Sequence, residues 1–289
     1  PDPDDDGSEA MTTSSGTKST AATTVAMPSV HQPTLGDRAR WAVRDTATMT
    51  WRDLVRTGRQ PEMLSFGVVM GVFFLLLFYW VFGGAISAGT GVDYLQYLVP
   101  GIFVITSLTG SQQTGTGLAV DLSEGVTDRF RSLPMSQFAV LGGRTVADSF
   151  RNIAAIVLVA IVGYLLGFRF ASFWGAAGAI VLAVAIGFAF SWMNAAIAAK
   201  VRNAEMVGML SMFWLFPLML ASTIFTPAQR MPSWLRGFAE WQPISIVGEA
   251  CRKLSNGIPA GDDVLWSLVW IVVLVLVFVP LAVAAYRKP

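Results

Sequence analysis

Very few side chains in this sequence could perform covalent or metal chemistry. The 289 residues include one histidine, His31, and one cysteine, Cys251. A Ser-His-Asp site and a metal site built from several histidines are therefore excluded, and a lone cysteine forms no disulfide within the chain. The fragment nearest to a phosphate-binding loop, SGTKST at 15–20, lacks the first glycine at the required spacing. We therefore expect a protein that is not an enzyme and that carries no cofactor or metal of its own.

A charged segment at 124–137, EGVTDRFRSLPMSQ, stands between two apolar blocks. As a helix it would gather its apolar side chains on one stripe, namely Leu122, Val126, Phe130 and Leu133. Glu124 and Arg131 would lie on the opposite side, and Pro134 would end the helix. Such a helix could dock to a soluble partner, or it could only lie on a membrane surface. The pattern alone leaves both interpretations open.

A polar run at 106–117, TSLTGSQQTGTG, lies inside one of the apolar blocks. Polar groups are costly in lipid unless they face protein or a cavity. They could line a path for cargo, or they could form hydrogen bonds between helices. We favour the path and assign to it the following residues of this run and of a later block: Thr106, Ser107, Ser111, Gln112, Gln113 and Asn194.

The acidic residues indicate where the energy for transport would come from. A carrier driven by protons or ions usually needs carboxylates deep in the membrane. Asp121, Asp148 and Glu205 lie instead near the ends of apolar blocks, whose interiors offer neutral polar groups. This favours an external energy source. A self-contained channel or secondary carrier, and a membrane scaffold for a soluble partner, are the alternatives.

Long apolar blocks are the elements that must position these residues. Hydrophobic residues make up 54% of the chain and charged residues 13%, a composition typical of polytopic membrane proteins. A helix needs about 20 apolar residues to cross roughly 30 Å of hydrocarbon. Six blocks reach that length: 63–85, 94–119, 145–167, 173–198, 206–226 and 264–286. Because backbone groups in lipid must be hydrogen-bonded internally, the sequence predicts an all-α polytopic membrane protein with six transmembrane helices.

Two further segments precede the first block. Residues 1–35 are rich in Ser, Thr, Pro and Asp and are expected to form a disordered tail. Residues 36–60 place Trp41 and Trp51 near one side of a helix flanked by arginines, which predicts an interfacial helix. The predicted six-helix transmembrane domain then occupies 61–289.

The basic residues are unevenly distributed between the two sides of such a chain. Fifteen of the 20 lysines and arginines fall on the side of the N-terminus. By the positive-inside rule, both termini and the 124–137 segment should face the cytoplasm. The last outer segment weakens this signal, although its four cations are matched by four carboxylates: Glu240, Glu249, Asp262 and Asp263.

The run DLSEGVTDRFRSLPMS at 121–136 resembles the cytoplasmic segment of type 2 ABC transporter permeases, particularly the daunorubicin-resistance group. The similarity extends from about Arg38 over nearly the whole chain. The resemblance implies that this segment is a coupling helix, which inserts into a cleft of the ATP-hydrolysing subunit. The matching positions are Glu124, Gly125, Arg129, Phe130, Arg131, Leu133 and Pro134.

The outer segment FTPAQRMPSWLRGFAEWQPISIVGEACRKL, at 225–254, also matches by pattern. Pro232 would open a short helix whose aromatic residues line one side, and Pro243 would break it. The resemblance implies an outer re-entrant hairpin that caps the exit, formed around Trp234, Phe238, Trp241 and Pro243. An ordinary surface loop is the alternative.

The resemblance further implies a permease subunit of an ATP-driven exporter in the bacterial cell membrane. Two such subunits, identical or related, would face each other, and two ABC ATPase subunits would hold the ATP and Mg. The expected cargo is amphipathic or hydrophobic, because the path offers no charges for a charged headgroup; the resemblance adds a drug, a lipid or a lipid-like metabolite. Membrane lipid is an expected partner and nucleic acid is not.

Overall fold

The computed structural model describes residues 61–90, 93–124 and 137–287, with side chains from 69–84, 93–124 and 141–286. The regular structure of these ranges is helical. Eight α-helices follow one another: α1 Pro61–Thr90, α2 Tyr94–Ser123, α3 Gln137–Leu166, α4 Phe173–Val201, α5 Ala204–Leu220, α6 Ser233–Trp241, α7 Pro243–Ser255 and α8 Gly261–Arg287. A 3-10 turn at Ala228–Arg230 precedes α6. The predicted tail and interfacial helix, 1–35 and 36–60, lie outside the described residues and stay predictions.

Each of the six predicted apolar blocks lies on a helix, namely α1 to α5 and α8. Within the described ranges, three stretches are long and apolar enough to cross a membrane: Leu141–Leu166 of α3, Phe173–Val201 of α4 and Gly261–Tyr286 of α8. Val69–Gly84 of α1 and Ala204–Leu220 of α5 are shorter apolar stretches. The 30 residues of α2 include the polar run 106–117. The chain is thus a helical membrane protein, and the count of six crossings stays a prediction.

Helices α2 and α4 form the centre of the bundle. Helix α2 packs against α1, α3, α4, α5 and α7, and α4 also contacts α8. Several of their large apolar side chains, among them Ile102, Leu108 and Ile186, are fully buried. The two helices approach closely because α4 carries Gly187 opposite Ser107, where an added Cβ would overlap the serine hydroxyl. Small residues therefore set the distance between the two central helices.

The connection between α4 and α5 consists of only two residues. Arg202 has a left-handed backbone with φ of 54°, and Asn203 then caps α5 by accepting a hydrogen bond from the Met206 N–H at 3.0 Å. An asparagine side chain satisfies one of the free N–H groups at the start of a helix. The short connection makes α4 and α5 direct neighbours along the chain.

Helix α5 ends at Leu220, six residues earlier than the predicted block 206–226. Pro217 lacks a backbone donor for the last turn, and hydrogen bonds from α7 and from the residue before it stabilise the turn that follows. Ser245 accepts from the Thr223 N–H at 3.0 Å, and Gln242 donates to the Ala221 carbonyl at 2.8 Å. The predicted end of the block is therefore wrong, and α5 is about 26 Å long.

Candidate functional site

The α2–α3 hairpin is held together where it leads into the predicted coupling segment. Arg144 of α3 forms an ion pair with Asp121 of α2. Gly117 makes room for this arginine, because a Cβ at that position would overlap the guanidinium group. Glu124 ends α2 with its N–H donating to the Val120 carbonyl at 3.0 Å, and its side chain is exposed.

The other residues assigned to the coupling segment lie outside the described residues: Gly125, Arg129, Phe130, Arg131, Leu133 and Pro134. Their docking role therefore stays a prediction. The described hairpin shows that the two helices on either side of the segment are joined by a charged contact at its base.

Two of the predicted path residues connect three helices. Asn194 of α4 donates to the Ser111 hydroxyl of α2 at 3.1 Å, and Ser211 of α5 donates to the Asn194 carbonyl oxygen at 2.8 Å. All three side chains are fully buried. Within this chain, Ser111 and Asn194 therefore form hydrogen bonds between helices, which is the alternative interpretation of the polar run.

The remaining predicted path residues differ in exposure. Thr106 and Ser107 are buried, and Thr106 donates to the Ile102 carbonyl of its own helix at 2.8 Å. Gln112 and Gln113 are half-buried. The side-chain nitrogen of Gln112 finds no hydrogen-bond acceptor among the described residues. The path itself stays a prediction.

A buried charge pair in α3 was missed by the sequence reasoning. Asp148 is only 6% exposed, and its carboxylate lies 2.8 Å from a guanidinium nitrogen of Arg151. The Thr114 hydroxyl of α2 donates to the same carboxylate and lies 3.3 Å from the Ser191 hydroxyl of α4.

This pair corrects one expectation. Asp148 lies near the end of the predicted block 145–167, as expected, but Arg151 reaches about 9 Å into that block. The interior of this block therefore contains a charge, in addition to neutral polar groups. The spacing of an acid and a base three residues apart on a helix is the signal that could have revealed the pair.

The outer segment forms two short helices with different surroundings. Helix α6 begins after Pro232 and ends at Trp241, just before Pro243, as the proline pattern predicted, and α7 begins at Pro243. Trp234 and Phe238 are 78% and 52% exposed. Trp241 packs edge-on against Trp266 of α8, with ring centroids 5.9 Å apart. Helix α6, with nine residues, is too short to cross a membrane. Trp234 and Phe238 are thus turned away from the bundle, and the re-entrant hairpin stays a prediction.

Helix α7 is anchored in the bundle by Arg252, a role that the sequence did not reveal. This arginine is only 6% exposed and donates to the carbonyls of Tyr97 at 3.0 Å and Thr223 at 3.2 Å. Its guanidinium also lies 3.6 Å from the centre of the Tyr97 ring, and Glu249 forms an ion pair with it. One side chain therefore joins α7 to α2 and to the turn after α5.

Two of the four carboxylates counted in the outer segment form ion pairs. Glu249 pairs with Arg252, and Asp263 accepts a hydrogen bond from Lys253 at 2.5 Å. This hydrogen bond raises the pKa of Lys253. The adjacent Cys251 is fully buried, and burial raises the pKa of its thiol to about 12.

Comparison with known proteins covers nearly the whole chain. Residues 44–255 match the family model described as ABC-2 type transporter. The daunorubicin resistance ABC transporter permease protein DrrB1 of Streptomyces coeruleorubidus is 36% identical over 282 residues, which are 96% of this chain and 99% of that protein. The probable doxorubicin resistance ABC transporter permease protein DrrC of Mycobacterium tuberculosis is 27% identical over 263 residues, or 86% and 91% of the two chains. The putative transport permease ycf38 of Cyanophora paradoxa is 23% identical over 216 residues, or 73% and 74%.

Proposed function

The chain belongs to the ABC-2 type transporter family as a permease subunit that is not itself an enzyme, and we propose that it exports amphipathic or hydrophobic compounds from the bacterial cytoplasm. The likeness to a daunorubicin resistance permease over 96% of the chain carries this proposal. Drug-like molecules are accordingly the first cargo to test, and lipids and lipid-like metabolites are the second.

The proposed topology has six crossings, formed by α1 to α5 and α8, with both termini in the cytoplasm. The exposed surfaces of these helices support it. Helix α8 exposes a row of large apolar side chains, among them Leu265, Val272 and Leu276, which are 60%, 52% and 69% exposed. An apolar surface of this extent is covered by lipid or by another protein. A second permease subunit, identical or related, would cover part of it.

The proposed energy source is a pair of separate ABC ATPase subunits, which hold the ATP and Mg. The segment 124–136 docks to them, with Phe130 and Leu133 as apolar anchors and with Arg129 and Arg131 making charge-assisted contacts. The contact between Asp121 and Arg144 supports this assignment. Because it joins α2 and α3 at the base of the segment, a displacement of the segment acts on both helices together.

Reversing the charge of the two arginines tests the docking role. In the Arg129→Glu/Arg131→Glu variant, we expect that the ATPase no longer co-purifies with this chain from native membranes and that efflux is lost. The stability of the chain itself should not change, because these side chains serve the partner. Lys200→Glu, which alters an exposed cation at the end of α4, is the control and should keep the ATPase. Full recovery of the ATPase with the double variant would contradict the docking role.

A self-powered carrier is the second candidate, and the buried Asp148 is the observation that favours it. Proteoliposomes that contain this chain with or without its ATPase separate the two functions. Flux of a fluorescent anthracycline that requires ATPase and ATP supports the exporter. Flux with the chain alone would support the carrier. Absence of flux in both preparations would support a membrane scaffold.

A further inference from the structure

A cleft of about 370 Å³ lies where α1 ends and α2 begins, at the opposite end of these helices from the coupling segment. Its lining residues include the aromatic residues Tyr79 and Trp80, the buried Tyr94 and the acidic Asp93. We propose that this cleft binds the ammonium group of an amphipathic amine. The proposal concerns the chain by itself and does not depend on docking to an ATPase.

The aromatic rings provide one half of the recognition. The rings of Tyr79 and Trp80 meet edge to face with their centroids 5.7 Å apart. Trp80 is 76% exposed, so the packing of the bundle leaves most of its surface free. An ammonium group within about 6 Å of such a ring is attracted by the negative charge of its face, and tryptophan binds most strongly.

Asp93 provides the other half. One of its oxygens accepts the hydrogen bond from the Leu95 N–H at 3.0 Å that caps α2. Among the described residues it forms no ion pair, and its side chain is exposed. The full negative charge exceeds the partial positive charge of the helix start, which is about half a unit. The cleft therefore offers an unneutralised carboxylate beside aromatic faces.

Two glycines keep the cleft open. Among the described residues, a Cβ added at Gly84 would have no neighbour within 4 Å, and one at Gly83 would come no nearer than 3.7 Å to Tyr79. The volume of the cleft lies within the range of small-molecule sites, about 300–1,000 Å³. A larger side chain at Gly84 would thus fill the cleft without displacing the protein.

The surface beside the cleft explains why the amine should be amphipathic. Leu77 and Val81 lie within a turn of Trp80 on α1 and are 39% and 58% exposed. An apolar tail whose ammonium group occupies the cleft can rest on this surface. Two sources share this chemistry: the headgroup of an aminolipid such as phosphatidylethanolamine, and a free amphipathic amine.

Binding of benzyltrimethylammonium to the full chain tests the proposal. The chain is purified in dodecyl maltoside, which has neither a charge nor an amine, and binding is followed by saturation-transfer NMR. Neopentylbenzene, in which carbon replaces the charged nitrogen, has the same shape and should bind at least about tenfold more weakly. Equal binding of the two compounds would overturn the proposal.

Two matched pairs of variants locate the site. Asp93→Asn should weaken binding about tenfold. The start of α2 should not change in this variant, because asparagine caps a helix as well as aspartate does. Asp262→Asn removes a carboxylate outside the cleft and should have no effect. Gly84→Leu should abolish binding, whereas Gly237→Leu, at another glycine with open space around it, should not. Unchanged affinity in both Asp93→Asn and Gly84→Leu would overturn the proposal.

The source of the amine is distinguished by a competition experiment. If added phosphatidylethanolamine displaces benzyltrimethylammonium from the unaltered chain, a lipid headgroup occupies the cleft. If phosphatidylethanolamine does not displace it, and binding still depends on the ligand's charge and on Asp93 and Gly84, the cleft binds a free amine.

Discussion

The buried Arg252 shows how a single charged side chain can hold helices together. It donates to the carbonyls of Tyr97 in α2 and of Thr223 in the turn after α5. A buried guanidinium needs several acceptors around it, because an unpaired charge is costly in low dielectric. Arg252 therefore fixes the position of α7 relative to α2 and to that turn, whereas Arg151 pairs with Asp148 of its own helix.

Replacing Arg252 should destabilise the chain more than replacing its neighbour Lys253. Arg252→Met leaves two carbonyls without their donor, and we expect a loss of about 2–4 kcal/mol. Lys253→Met removes a half-buried pair worth about 0–1 kcal/mol. Thermal unfolding of the two variants in the same detergent measures the difference. Equal unfolding temperatures would show that Arg252 does not anchor α7.

The helices were largely predictable from the sequence because the length of an apolar block is a local property. The prolines at 232 and 243 likewise predicted where α6 begins and ends. The end of α5 was missed because it depends on hydrogen bonds with Gln242 and Ser245, which belong to a distant segment. The partners of Asn194 were equally hidden, since Ser111 lies 83 positions earlier in the chain. Contacts between distant segments leave no periodic pattern to read.

The ion pair between Asp121 and Arg144 should make α2 and α3 move together during transport. Asp121→Arg places a like charge beside Arg144, and we expect reduced ATP-dependent efflux with a stability change of only about 0.2–1 kcal/mol, because the pair is partly exposed. The exchanged pair Asp121→Arg/Arg144→Asp should recover efflux. Efflux assays on membranes with matched protein levels measure both. Undiminished efflux in the single variant would show that the pair does not take part in coupling.

At the scale of the whole molecule, the single cysteine makes the topology directly measurable. Cys251 is fully buried, and its pKa of about 12 leaves almost no thiolate at neutral pH. The thiolate is the reactive form. The unaltered chain should therefore resist maleimide labelling, and any introduced cysteine can be followed without background.

Two introduced cysteines test whether α5 crosses the membrane. Lys200→Cys lies at the end of α4 and Asp262→Cys at the start of α8, so they should face opposite sides. A membrane-impermeant maleimide added to intact cells should label Asp262→Cys, and it should label Lys200→Cys only after the cells are opened. Labelling of both positions in intact cells would refute the proposed crossing.

The contacts of the polar run in α2 also affect the order in which the bundle assembles during synthesis. Ser111 emerges from the ribosome 83 residues before its partner Asn194, a delay of about 4–17 s at 5–20 residues per second. During this time, hydroxyls of α2 can bond carbonyls of their own helix, as those of Thr106 and Ser111 do, but Ser111 lacks the Asn194 amide. The hydrogen bond that joins α2 to α4 therefore forms only after α4 has been synthesised.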